Sequence, residues 1–246
     1  MVLLMFYQIG TVATRYKSSS KSQKDASVGC SFPSRGPSQV FACSLIAITC
    51  STIHAIYCGE EKVINFDQNH LASSLSCAVL AHHATCLADT LASELGMVLA
   101  IHDPILITRP FSGTVPPGTN GGITLTGIIW SCIGGLLMAL GTMLTDWISG
   151  LTVECPLATI SFGVLSGLFG SLLDSFLGAT VQVSYYDENK KMVHGDFHYT
   201  KQTSLLRISG LNILNNEQVN FISVLITTVL GGTVLGPFIF GCNYWA

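Results

Sequence analysis

Long blocks of apolar residues limit the folds that this chain can adopt. A helix needs about 20 mainly apolar residues to cross the roughly 30 Å hydrocarbon core of a bilayer. Five blocks of this kind occur, at residues 38–58, 71–88, 121–144, 156–181 and 219–241. They predict an all-α fold, a polytopic integral membrane helix bundle with five full spans.

The composition supports the same fold class. Charged residues make up 10% of the 246 positions and apolar residues 49%, whereas soluble domains carry about 25% charge. We therefore expect residues 1–246 to form a single membrane domain with a polar, solvated loop at 182–218. The apolar residues 1–8 are too short to cross, and we expect them to be the end of a further span that begins before this sequence.

The basic residues predict how the chain is oriented. The segments 1–37, 97–120 and 182–218 hold ten of the 11 Lys and Arg residues, and the intervening loops hold only Lys62. Loops rich in Lys and Arg stay on the cytosolic side. The basic loops are therefore predicted to be cytosolic.

Two polar segments lie beside the second and third spans. LADTLASELG places Asp89 and Glu94 at the end of the second span, where they either mark a helix emerging into water or line a cavity. PPGTNGG precedes the third span, and glycines followed by a helix start favour either phosphate binding or an ordinary turn with an N-cap. The residues in question are Gly118, Thr119, Asn120, Gly121 and Gly122.

Two further polar segments belong to the fourth and fifth spans. Asp174 interrupts the fourth span in GSLLDSFLGAT, and a charged residue within a span usually faces a cavity or a partner. The segment LNNEQVN precedes the fifth span. Helix capping accounts for one of its asparagines, which leaves Asn216 or Asn220 as candidates to face a cavity.

The predicted topology brings these four segments to one side of the membrane. The second and fourth spans end there, and the third and fifth begin there. Carboxylates with amide oxygens suit a hard cation such as Mg²⁺, which is usually held by one or two carboxylates together with substrate phosphates. The sequence therefore predicts a polar site at the cytosolic boundary.

The adjacent His82 and His83 within the second span are expected to pack or form hydrogen bonds between helices. Neighbouring side chains on a helix point about 100° apart, so a regular helix does not direct both at one metal ion.

At the four polar segments the chain resembles the transmembrane protein 19 family, which is related to the plant phytyl-phosphate kinase. ADTLASELG, VPPGTNGGIT, GSLLDSFLGAT and LNNEQVNF carry the resemblance, which covers roughly residues 38–230. It implies a multi-span protein related to enzymes that phosphorylate isoprenoid phosphates with a nucleoside triphosphate. Leu91 stands where the family commonly has Trp, and the family's N-terminal spans are expected to be missing here.

The first functional hypothesis is a Mg²⁺-dependent kinase that acts on isoprenyl monophosphates. In this hypothesis Asp89 and Asp174 hold Mg²⁺, the backbone of 118–122 binds phosphates, Asn216 and Asn220 position them, and Glu94 orients the attacking oxygen. The alternatives are a small-solute or ion transporter and a non-catalytic membrane subunit. The bilayer is the expected partner, and no nucleic acid is expected.

Overall fold

The computed structural model describes residues 1–16, 37–188, 191–195 and 205–241, with side chains of the second helix from residue 44 onward. The polypeptide in these ranges is mainly helical, which confirms the predicted fold class. The helices are α1 Val2–Arg15, α2 Pro37–Tyr57, α3 His70–Leu91, α4 Leu125–Ile148, α5 Pro156–Val181, α6 Asn216–Leu230 and α7 Gly236–Phe240. Two π-helical turns, Ala92–Gly96 and Gly231–Leu235, extend α3 and join α6 to α7.

Four helical stretches of the described chain are long and apolar enough to cross a membrane. They are His70–Gly96, Leu125–Ile148, Pro156–Val181 and Asn216–Phe240. The remaining predicted span, 38–58, coincides with α2, a helix of 21 residues from Pro37 to Tyr57. The apolar residues 1–8 belong to α1, which packs against α3 and α4.

Small residues allow α3, α4 and α5 to pack with their backbones close together. A Cβ atom at Gly134 of α4 would lie 2.6 Å from Ala88 Cα of α3, and one at Gly167 of α5 would lie 3.1 Å from Ala88 Cβ. Such close approach is usual for small residues at helix contacts in membranes. The three helices therefore cross at Ala88. This crossing fixes the position of the next residue, Asp89.

The segment predicted as a solvated loop forms part of a small antiparallel sheet. Strands β3 Ser184–Asp187, β4 Met192–His194 and β5 Leu205–Ser209 pair in the order β4-β3-β5, and Val183 and Ser184 are fully buried. The prediction of a solvated connection is wrong for Val183 and Ser184, whereas Leu206 and Arg207 of β5 are exposed. A two-stranded ribbon, β1 Ile105–Leu106 with β2 Gly122–Ile123, precedes α4.

The bundle thus has two distinct ends. We call the end where α3 and α5 finish and α4 and α6 begin the site end, and the other the opposite end. The sheet follows α5 and precedes α6 along the chain, so it lies at the site end.

Candidate functional site

A cavity of about 630 Å³ lies at the site end, and all four predicted polar segments line it. We call it the first cavity. Asp89, Glu94, Asp174 and Asn220 are among its lining residues, together with the loop 118–122. The structure therefore brings together the residues that the sequence singled out, from positions more than 100 residues apart.

Asp174 is held by hydrogen bonds from the facing helix α6. The Ser223 hydroxyl donates to Asp174 Oδ2 over 3.1 Å. With its nitrogen turned toward the carboxylate, the Asn220 amide donates to the same oxygen over 2.9 Å. Both donors bond to Oδ2, and neither of these two bonds involves Oδ1. Two donors one helical turn apart therefore orient the carboxylate.

The Ser223–Asp174 contact is expected to couple the two residues energetically. A hydrogen bond to a charged group contributes about 1.5–3 kcal/mol, and residues in one hydrogen-bond network show interaction energies of about 0.5–3 kcal/mol in double-mutant cycles. We expect the Ser223→Ala and Asp174→Asn substitutions to give unfolding free energies that are non-additive by about 1 kcal/mol.

Unfolding of the protein in mixed micelles, titrated with denaturing detergent, would measure this cycle. Thr227→Ala paired with Asp174→Asn is the control, because the Thr227 hydroxyl donates to the Ser223 carbonyl over 2.8 Å and not to Asp174. Additive values for Ser223 and Asp174 would contradict the contact.

A π-helical turn that carries Glu94 follows Asp89. The turn Ala92–Gly96 directly continues α3, and its wider i→i+5 spacing changes which residues share a face. Asp89 and Glu94, five residues apart, accordingly both line the first cavity and are half-buried. Leu91 and Leu95 are buried, so this segment packs into the bundle and is not simply a helix end that emerges into water.

The glycine-rich loop before α4 is tied to neighbouring elements. The backbone N–H of Asn120 donates to Ser184 Oγ and its side-chain amide to the Val183 carbonyl, each over 2.9 Å. The N–H groups of Thr119 and Gly122 donate to carbonyls within the turn, over 3.2 and 2.9 Å.

These bonds reduce the phosphate-binding capacity that the sequence predicts for residues 118–122. A cradle needs several N–H groups directed at one anion, and those of Thr119, Asn120 and Gly122 are already used within the protein. The Thr119 hydroxyl also donates to the Pro116 carbonyl, over 2.6 Å. The loop lines the first cavity, but Asn120 has a structural task that its sequence context did not predict.

The three asparagines before the last span have different positions. Asn215 is the N-cap of α6, where its side chain accepts from the Gln218 N–H over 2.9 Å and the Gln218 side chain accepts from the Asn215 N–H. This capping box accounts for one asparagine, as expected. Asn216 and Asn220 line the first cavity, and Asn220 also reaches Asp174.

Several cavity residues were not found by sequence reasoning. Ser131 of α4 donates to Ser171 of α5 over 3.1 Å at the cavity wall, and Thr124 caps α4 by accepting from the Gly127 N–H over 2.9 Å. Single serines in apolar helices give no local signal, because Ser is also an ordinary small residue at helix contacts. Ser223 could have been found from its spacing, three residues after Asn220 on the same face.

The side chains of the first cavity could hold a hard cation only if a bound ligand supplied further oxygen atoms. No three His, Cys, Asp or Glu side chains within the described ranges are grouped closely enough to hold a metal ion. Four carboxylates line the first cavity, and Asp89 and Asp174 are the two that the sequence hypothesis assigns to a metal ion. That set fits Mg²⁺, which commonly takes one or two carboxylates and completes its octahedron with water and substrate phosphates.

The apolar helices and the polar cavity at one end of them define a multi-pass integral membrane protein. The sequence profile of the family described as integral membrane protein DUF92 matches residues 1–228. The chain belongs to this family.

Similar proteins occur in plants, archaea and cyanobacteria. Protein PGR of Arabidopsis thaliana is 36% identical over 181 residues, which are 70% of this chain and 58% of PGR. An uncharacterized membrane protein of Methanocaldococcus jannaschii is 28% identical over 239 residues, 97% of this chain and 75% of that protein. One from Synechocystis is 26% identical over 195 residues, 79% of this chain and 67% of that protein. No solved structure matches.

Proposed function

We propose that the first cavity transfers the terminal phosphoryl group of a nucleoside triphosphate to an isoprenyl monophosphate at the cytosolic boundary of the membrane. The observation that supports this function is the meeting of four polar segments in one cavity at one end of the bundle. The choice of substrates depends on the resemblance to the transmembrane protein 19 family and the related phytyl-phosphate kinase.

The cavity chemistry fits such a transfer. Phosphoryl transfer depends mainly on positioning and on neutralising the charge of the phosphates. An oxygen of the acceptor phosphate would attack the γ-phosphorus as the bond to the bridging oxygen breaks and the nucleoside diphosphate leaves. The acceptor is already an anion, so no strong base is required, and Glu94 would serve to orient the acceptor.

In this proposal Asp174 and Asp89 hold Mg²⁺, which would neutralise phosphate charge. Asn220 and Ser223 keep the Asp174 carboxylate in one orientation through the bonds to Oδ2. Asn216 and the loop 118–122 would position the phosphates, with fewer backbone N–H groups than the sequence suggests. The chain spans 58% of the length of Protein PGR, so the proposed activity refers to the cavity described here.

The direct test is a transfer assay with the full chain in lipid nanodiscs, isoprenyl monophosphates, Mg²⁺ and labelled CTP or ATP. We expect label in an isoprenyl diphosphate, and a rate about a hundredfold lower for Asp89→Asn, because that change removes charge from a preorganised site. Asp103→Asn, which alters an exposed carboxylate at the cavity rim, is the matched control. Label that enters the lipid equally in all three proteins would contradict the assignment of Asp89.

A second candidate function, transport of a small solute or ion, is favoured by one observation. Another cavity, of about 170 Å³ and lined by both apolar and polar residues, lies at the opposite end of the bundle, and we call it the second cavity. Transporters place polar groups along a path through the membrane. Uptake of solute into proteoliposomes, without label transfer in the kinase assay, would favour this function over the first.

A further inference from the structure

The second cavity is built from the ends of helices that lie away from the first cavity. It is lined by the C-terminal part of α4, the N-terminal part of α3 and the connections 61–64 and 151–155. The proposed phosphoryl transfer uses none of these residues. The second cavity therefore requires its own explanation.

Two buried histidines with unsatisfied nitrogens line this cavity. His54 is 6% exposed and His83 is 4% exposed. Within the described part of the chain, His54 Nε2 and His83 Nδ1 have no hydrogen-bond partner. Buried polar atoms in proteins nearly always have a partner, and exceptions point to an ion, water or ligand that the protein binds.

Three threonine hydroxyl groups in the wall of the second cavity can only accept hydrogen bonds from a ligand. Thr142, Thr145 and Thr159 line the cavity, and each donates its hydroxyl hydrogen to the main-chain carbonyl four residues earlier, over 3.1, 2.8 and 3.2 Å. A hydroxyl has one hydrogen and two acceptor lone pairs. With the hydrogens used inside the helices, these oxygens can only accept further hydrogen bonds.

The charged residues that line the second cavity also favour a ligand that donates hydrogen bonds. Its lining includes the carboxylates of Glu61, Asp146 and Glu154 but a single lysine, Lys62. Asp146 is half-buried, whereas Glu61 and Glu154 are exposed, and a bound cation would reduce the repulsion among these carboxylates. A ligand that is positively charged and rich in N–H donors would complement this lining.

We propose that the second cavity binds a small ammonium-type cation, such as the ammonium ion or a short primary alkylammonium. An ammonium group has only donors and no acceptor, which matches an acceptor-rich, negatively charged lining. A metal ion held by three or more His, Cys, Asp or Glu side chains is disfavoured, because no three of these among the described residues are suitably grouped. A volume of about 170 Å³ accommodates methylammonium.

The test is titration of the full chain in nanodiscs with methylammonium chloride, followed by isothermal titration calorimetry at constant ionic strength. We expect saturable binding by the wild type and an affinity about tenfold lower in Asp146→Asn, since hydrogen bonds to a charged group are among the stronger ones. Asp67→Asn, an exposed carboxylate that does not line the second cavity, should bind like the wild type.

A second ligand makes the result independent of how well a variant folds. Tetramethylammonium has the same charge but no N–H donor, so the wild type should not bind it measurably. If the wild type binds both cations equally, or if Asp146→Asn and Asp67→Asn lose the same amount of affinity, the binding is only a non-specific attraction between charges. Either result would overturn the proposal. Absence of methylammonium binding, or its displacement by stoichiometric Zn²⁺, would also overturn it.

Discussion

The Asp174→Asn variant is expected to lose nearly all phosphoryl transfer, with a rate at least about a hundredfold below that of the wild type. The substitution keeps the size of the side chain but removes its charge. Asp174 lies within α5 and faces the first cavity, where Ser223 and Asn220 already orient it. A carboxylate that is oriented in advance contributes most when it stabilises charge without rearranging.

The nanodisc transfer assay, repeated over a range of Mg²⁺ concentrations, measures this effect. Asp146→Asn is the matched control, because it makes the same change in a membrane-crossing helix but at the second cavity. The control should retain the wild-type rate. If Asp174→Asn keeps its rate and its Mg²⁺ dependence, Asp174 is not a ligand of the proposed metal ion and the kinase proposal loses its central residue.

The Gly121→Ala variant is expected to lower the free energy of unfolding by about 2–4 kcal/mol and to distort the first cavity. Gly121 has φ +77°, which disfavours any residue with a Cβ atom. A Cβ atom there would also lie 2.6 Å from the Ser175 carbonyl oxygen and 2.6 Å from Ala179 N. These are backbone atoms of α5, which cannot move aside as a flexible side chain does.

Gly113→Ala separates the two causes. Gly113 has φ +93°, but no atom lies within 4 Å of the position its Cβ would take, so it should lose only about 1 kcal/mol from backbone strain. Detergent-induced unfolding, monitored by Trp fluorescence, measures the free energy of unfolding of both variants. If the two variants are equally destabilised, the close approach of Gly121 to α5 contributes nothing to stability.

The large-scale organisation could be predicted from the sequence because it depends on strong local signals. Apolar blocks of bilayer length predict helices, and alternation of direction brings the ends of α3 and α5 to the starts of α4 and α6. The same alternation predicted that Asp89, Asp174 and Asn220 lie at one end, and the first cavity contains all three.

Other features could not be predicted because they depend on contacts between distant residues. Asn120 bonds to Val183 and Ser184, more than 60 positions away, and nothing within the PPGTNGG segment indicates such partners. The π-helical turn at Ala92–Gly96 also depends on tertiary packing, since Gly96 approaches Gly127 so closely that a Cβ atom would lie 2.6 Å from Gly127 Cα. Helical periodicity alone assumes a regular α-helix there.

The attachment of the 118–122 loop determines how the first cavity can admit a molecule. Asn120 fastens the loop to the sheet, and Gly121 packs against α5. Lifting the loop as a lid would break these hydrogen bonds, each worth about 0.5–1.5 kcal/mol, and expose the contact with α5. The loop is therefore a fixed wall of the first cavity, and displacing it to admit a ligand would cost these contacts.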